Sequence, residues 1–385
     1  MTTTAVPLAE LVGRVTKVAG EHVRRTDDEA AFPVEALDEL RATGLLGLLV
    51  PAGDGGLGGS LADVLETSAE LGRVDMSLAM IFAMHCQQVA AVLAHAEGKL
   101  RAELLPEIAA GRLYLGSVTT EAGKGGHLLT AESAAAWRDG GLLVDRFAPI
   151  VTGGRHADGF LITMRAPDAD ADNQVSLVYA ARDQLEIEQA GGWEPLGMRA
   201  SDSGALRLRG RVPAHQVVGR HGDFHTIVTT VFGPLAHLGW ASCWLGTAAG
   251  ALSRVIASLR GSRGKTDLSS ELLMTRLSRS RQRLDTVHAL IDRARHVVET
   301  AADLSVPKVQ LLINAVKITA AEECYRAVDE LVDAVGMRHG YLRDSPTRLE
   351  QSLRDLRSAV LNYSNDRLHL ADGRLTLLDQ EVRFA

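Results

Sequence analysis

Nothing in this chain is built to hold nucleic acid or a membrane. Acidic residues (48) outnumber lysine and arginine (41), giving a net charge of −7 over 385 residues, so no basic surface awaits a phosphate backbone. No run reaches the ~18 apolar residues that a membrane span needs. The opening MTTTAVPLAELVGRV lacks the basic-then-apolar pattern of a secretory leader. Cysteine is scarce: Cys86, Cys243 and Cys324 lie far apart and match no CxxC spacing. They form no disulfide framework, which fits a reducing cytoplasm and three small buried apolar side chains. No metal-ligand spacing is present. Aromatic residues make up only 4%, so Leu, Val and Ala must build the core.

Periodicity divides what is there into three zones. Residues 1–115 read as helices: Leu8, Leu11, Val15 and Val18 share one face, PVEALDELRATG ends at Gly44, and MSLAMIFAMHCQQVAAVLAHA is apolar nearly all round, as a buried helix is. The glycine-rich PAGDGGLGGS (51–60) has neither GxGxxG spacing nor a Lys-Ser/Thr ending, so it reads as a connection. Residues 116–222 hold short alternating runs such as DGFLITMRA and QVSLVYAAR between Gly, Asp, Asn and Pro turns, which predicts an antiparallel β-domain. Residues 223–385 return to long helices. Leu273, Leu277, Leu284, Val287, Ile291, Ala294 and Val298 form one stripe, a second helix opens at Pro307, and a third runs through RDLRSAVLNYSNDRLHL (354–370). The spacing predicts an α+β chain: helical domain, β-domain, C-terminal four-helix bundle.

Five strings then carry a family likeness. TEAGKGGH (120–127) resembles the TEPxAGSD loop of the acyl-CoA dehydrogenase family. IVTGGRHAD (150–158) is similar to its WITNGxxAD segment, and LGMRASDSGALRLRGRVP (196–213) to its LGxRxSxTxxLxFxxVxVP segment. PAGDGGLGGS matches its PxxxGGLG turn, and residues 335–357 its GGxGYxxxxPxERxxRDAR region. The resemblance spans nearly the whole chain, in order.

It implies a bound FAD between β-domain and bundle. Thr119, Thr120, Gly125 and Gly126 match the loop on the flavin's pyrimidine edge, and Thr152 the threonine that reaches N5. Ile150 stands where the family has a stacking Trp. Arg260 matches the arginine of the pyrophosphate, where a guanidinium fork suits paired phosphate oxygens, with a solvated surface arginine as the plain alternative. Arg263 and Glu271 replace an aromatic and a Gln. Gly336 and Gly340 match the glycine turn under the dinucleotide, which often comes from a neighbouring subunit, so a homo-oligomer, dimer or tetramer, is implied. Arg199 and His127 fall on substrate-side motifs, His127 in place of the loop Asp.

The family's dehydrogenases need a carboxylate to take an α-proton. One branch carries Glu at the position of Tyr363, followed here by Ser364 and Asn365; the other carries it near Ala236–His237. Neither carboxylate is present. His237 is a candidate base, with a core histidine as the alternative. Tyr363 is a poor base but a good donor, Asp366 reads as a solvent-facing charge, and His85 is either a cavity residue or a buried, satisfied one. Three functions stay open: FAD-dependent dehydrogenation of an acyl thioester carried on CoA or an acyl carrier protein; monooxygenation on the same fold with reduced flavin supplied by a reductase; or a non-catalytic partner subunit or binding protein.

Overall fold

A computed structural model of the chain describes residues 6–123, 127–261 and 267–385. Five helices open it: α1 (Leu8–Glu29), α2 (Val34–Ala42), α3 (Leu61–Val74), α4 (Met76–His95) and α5 (Gly98–Ala109). The glycine-rich connection before α3 folds back on itself. A Cβ on Gly56 would sit 2.3 Å from the Val50 carbonyl oxygen, and Gly55 has φ 89°, so these positions admit little but glycine. Ser60 then caps α3 in a reciprocal box with Asp63. Helix α4 is long and apolar enough to cross a membrane, but it is buried inside the protein. It packs against strand β1 (Leu115–Val118) and several other helices, α3 and α5 among them, so an apolar face on every side is what its surroundings require.

Next come β2 (Ala136–Arg138), β3 (Gly141–Ala148), β4 (Gly159–Arg165), β5 (Val175–Ala181), β6 (Leu185–Gln189), β7 (Leu206–Pro213) and β8 (Val217–Val218). They form two four-stranded sheets, ordered β1-β4-β5-β8 and β2-β3-β7-β6. The expected antiparallel pairing has one exception among the strand pairs of the described residues: β1 and β4 run parallel. The chain leaves β1 through a long loop and the β2–β3 hairpin, and returns as β4 in the same direction, as a parallel pair requires. Alternation explains the burial of β4 and β5. Phe160, Ile162, Val178 and Ala180 join the core facing the second sheet, while Leu161, Leu177 and Tyr179 join a core built with α4 and α5.

After a short α6 (Phe224–Ile227), the bundle is α7 (Gly233–Gly261), α8 (Glu271–Thr300) and α9 (Pro307–Gly336), with its fourth position shared by α10 (Leu349–Arg357) and α11 (Asn365–Thr376). Residues 354–370 are therefore not one helix. The helix stops at Arg357, and Tyr363 adopts φ 50° before α11 begins, a left-handed geometry that an uninterrupted helix does not tolerate. Asp366, exposed on α11, is a solvent-facing charge.

Helices α3 and α7 meet along glycines. A Cβ on Gly246 would lie 2.0 Å from the Ala69 carbonyl oxygen, on Gly250 2.4 Å from that of Arg73, and on Gly72 2.5 Å from that of Cys243. The obstacles are main chain and cannot rotate away. Gly246→Ala is expected to destabilise by at least ~1–3 kcal/mol through overpacking, read as a lowered denaturation midpoint. Gly13→Ala on α1, where nothing lies within 4 Å, should be neutral or mildly stabilising.

Candidate functional site

The two loops that the sequence assigns to one ligand edge are joined in space. Thr120 Oγ1 donates to the Ile150 carbonyl at 2.9 Å, so that hydroxyl is spent on holding loop to loop, and contact with a ligand falls to the main chain. Thr152 Oγ1 accepts from Ser203 Oγ at 3.1 Å and keeps its own proton to donate. Ile150 is 49% exposed beside it, an apolar neighbour. Beneath the loop lies a buried ion pair that sequence reasoning missed. Arg146 on β3 binds the Glu121 carboxylate and donates to the Thr120 carbonyl at 3.0 Å. Glu121 also accepts the backbone N–H groups of Glu132 and Ser133, each at 2.9 Å. The signal was legible: Leu142, Val144, Arg146 and Ala148 are the inward positions of β3, and an arginine among them demands a buried partner. Burial pushes the Arg146 guanidinium down to about 10.

A second joint ties the β-domain to the bundle. A Cβ on Gly197 would meet the Arg354 carbonyl oxygen at 2.1 Å, and the next residue, Met198, donates its N–H to Asp355 at 2.6 Å. Arg354 is held by Asp27 at 2.6 Å and Glu350 at 2.8 Å. Burial pushes the Asp355 carboxyl up to about 7; Asp27 and Asp75 add to this, against the Met198 N–H and Arg354. An unfolded aspartate ionises near 3.9. Between those values the native chain holds a proton that the unfolded chain has lost, so stability falls as pH rises from about 4 to about 7 and is level above. Asp355→Asn keeps an oxygen to accept the Met198 N–H. It is expected to flatten that slope and to melt higher than the wild type at pH 8, checked by thermal melts across pH 4–8.

The third assembly answers for the missing carboxylates. His237 on α7 and Tyr363 in the turn face each other with ring centroids 6.4 Å apart, and Trp240 lies 6.2 Å from His237. His237 is 8% exposed. Burial, and then the charge of Lys317, push its pKa down to about 4. Its Nδ1 is buried with no hydrogen-bond partner, as are the indole N–H groups of Trp240 and Trp244. These three residues recur at helical spacing on α7, so they share a face. Burial also raises the Tyr363 phenol, which keeps it a donor. Asn365 is buried and bound to Lys317 at 2.6 Å and to Glu322 at 3.3 Å. Lys317 is the second missed residue; it stands between Ile313 and Ala321 on the buried face of α9.

Other expected residues lie apart from this cluster. His85 spends both ring nitrogens, at 2.8 Å from the Leu46 carbonyl and as acceptor of the Leu115 N–H at 3.1 Å; it holds the start of β1 in place and offers no free lone pair. Arg199 donates to the carbonyls of Asp27, Asp28 and Pro195, fastening α1 to the β-domain rather than reaching a substrate. His127 is exposed, Arg260 is exposed near the end of α7, and Glu271 is exposed at the first residue of α8. Gly336 has φ 69°, and Gly340 is buried with the Val332 carbonyl oxygen 2.9 Å from a notional Cβ. Gly125, Gly126 and Arg263 lie outside the described residues. The three cysteines are free and buried, and burial pushes their thiols up. A groove of about 650 Å³ runs between α3, α7 and α8, away from these loops. A smaller cavity of about 280 Å³ lies by Arg155, Trp193 and Asp202.

Among the described residues, the donor set fits the edge of a flavin ring: the Thr152 hydroxyl with its proton to give, main-chain amides and an apolar neighbour. Comparison with known proteins agrees. The chain matches the models of the acyl-CoA dehydrogenase N-terminal domain over residues 9–112 and C-terminal domain over residues 235–361. Dibenzothiophene monooxygenase of Mycolicibacterium goodii is 26% identical over 251 residues, 63% of this chain and 60% of that protein, so the chain spans less than two thirds of that relative's length. A probable FMNH2-dependent monooxygenase, SfnC, of Pseudomonas putida is 23% identical over 94% of this chain and 91% of its own. Mitochondrial isobutyryl-CoA dehydrogenase of Dictyostelium discoideum is 22% identical over 86% and 78%. The crystal structure of FMN-bound TdsC from Paenibacillus sp. A11-2 superposes with a TM-score of 0.86, 98% coverage of both chains and 22% identity, a likeness of fold. The relatives thus include both dehydrogenases and flavin-dependent monooxygenases.

Proposed function

This chain belongs to the acyl-CoA dehydrogenase family, and from that premise we propose that it is a reduced-flavin-dependent monooxygenase acting on a small, largely apolar molecule. One observation carries the reading. At or beside the two positions where the family's dehydrogenases hold a carboxylate, this chain places a buried neutral histidine and a half-buried tyrosine, their tilted rings 6.4 Å apart. An imidazole pushed down to about 4 is too weak a base for a thioester α-proton, since a general base works best near the operating pH. It is well suited to accept a hydrogen bond through its unpartnered Nδ1, with the Tyr363 phenol beside it as a donor. Reduced flavin supplies the activation of dioxygen. The chain's own residues do the rest: Thr152 and the amides of the first loop hold the ring edge, and Trp240 packs beside His237 as apolar cover. His237 and Tyr363 orient the polar atom of the guest. In this reading the flavin arrives reduced from a separate reductase, the chain works as a homo-oligomer, and a reducing compartment suits its free cysteines. Thioester dehydrogenation is the second reading, supported by the dehydrogenases among the relatives.

Purified protein with a flavin reductase, nicotinamide cofactor and FMN or FAD is expected to consume oxygen in proportion to an added oxidisable aromatic substrate. Anaerobic acyl-CoA thioesters should leave bound oxidised flavin coloured. Bleaching by a thioester would assign the chain to dehydrogenation instead.

A further inference from the structure

Lys317 is a lysine with no exposed surface and no carboxylate bonded to its amine. All three of its hydrogen bonds go to one short segment: the Ala359 carbonyl at 3.2 Å, the Tyr363 carbonyl at 3.0 Å and Asn365 Oδ1 at 2.6 Å. Its Nζ also lies 5.7 Å from the centre of the Trp244 ring. That segment is the break between α10 and α11, where Tyr363 takes φ 50°. A bulky residue holds such a backbone only where its surroundings enforce it. Fully burying an ammonium is costly unless hydrogen bonds or an opposite charge compensate it, so these three bonds are what keep it there.

We propose that Lys317 is the positioning residue of this site: it clamps the turn that presents Tyr363 to His237, and it sets the field in which that imidazole works. It touches neither a guest nor the flavin; it acts through the two residues that do. The clamp holds the carbonyl of Tyr363 itself, so the side chain that leaves the same α-carbon is aimed by it. The charged and titratable groups around the pair are Glu322 on α9, reached through Asn365, and His237 from α7. The turn adds Tyr363, and α11 adds Arg367, which acts on Tyr363, and Asp372, bonded to Asn314 on α9 at 2.6 Å. Among these, Lys317 is the cation that bears on His237. Burial lowers the Lys317 amine to about 7, opposed by Glu322, so the clamp itself changes charge near neutral pH.

Two variants of the full chain separate clamp from charge. Lys317→Gln keeps a donor and loses the cation; Lys317→Met loses both. The first readout needs no activity: the titration midpoint of His237, followed by NMR in protein carrying ¹³C-labelled histidine and assigned with His237→Asn. Both variants are expected to raise that midpoint by about one pH unit, the order of effect of a neighbouring like charge. The second readout is turnover, which rests on the monooxygenase reading. Lys317→Met should lower kcat by ~10-fold or more with KM within about twofold, as for lost alignment. Lys317→Gln should stay within about threefold at its best pH, with the pH profile displaced. If Lys317→Met does not fold, the midpoint in Lys317→Gln decides alone. An unmoved His237 midpoint in the folded variants would overturn the proposal. A displaced midpoint in protein that oxygenates nothing, wild type included, would sustain the role of Lys317 and refute the monooxygenase reading instead.

Discussion

Glu121→Ala is expected to cost ~3–5 kcal/mol of stability, the usual result of removing one partner from a buried ion pair. The substitution strands the Arg146 guanidinium, which has 1% side-chain exposure, and leaves the backbone N–H groups of Glu132 and Ser133 without their acceptor. An abandoned buried donor costs its full desolvation. The damage spreads to the ligand loop, because Arg146 also holds the Thr120 carbonyl, and Thr120 in turn holds Ile150. Denaturant unfolding and flavin titration should therefore fail together. Adding Arg146→Met to Glu121→Ala should recover part of the stability, since no charge is then stranded, while flavin binding stays weak. Full stability in the single variant would show that the pair carries little.

The second large effect concerns turnover. His237→Ala is expected to lower product formation ~10²-fold, the order lost when a reacting group is misplaced, while flavin binding, which the proposed function assigns to Thr152 and its loop, stays close to wild type. Tyr363→Phe removes one donor and should lose less, ~10-fold, in keeping with a hydrogen bond worth about 1 kcal/mol or slightly more. The discriminating measurement is product formed per oxygen consumed: loss of orientation should waste oxygen rather than stop its uptake. Unchanged coupling in His237→Ala would remove this residue from the site.

The architecture was legible because its signals are long. A helix such as α8 repeats its stripe over thirty residues, and Leu273, Leu284, Val287, Ile291 and Ala294 are buried as the spacing requires. The parallel β1–β4 pair was not legible, because strand direction is decided by where a loop returns and not by alternation within a strand. Nor was the break in 354–370: helix periodicity carries across it, and the turn is held by a lysine 46 residues earlier in the chain that grips the Tyr363 carbonyl. Site residues divide in the same way. Thr120 and Ile150 sit in recognisable strings and are hydrogen-bonded to each other. The roles of His85 and Arg199 depend on which carbonyls happen to lie within reach, which no local pattern records. Lys317 and Arg146 were written plainly, as charges in apolar registers. Such misfits ask for a partner without saying where it is.

The seam of Gly72, Gly246 and Gly250 bears on motion as well as on stability. Two main chains in direct contact over more than a turn of helix leave no slack for a hinge, so the N-terminal helices and the bundle open as one block or not at all. Relative motion, where the fold permits any, falls to the parts that this seam does not weld.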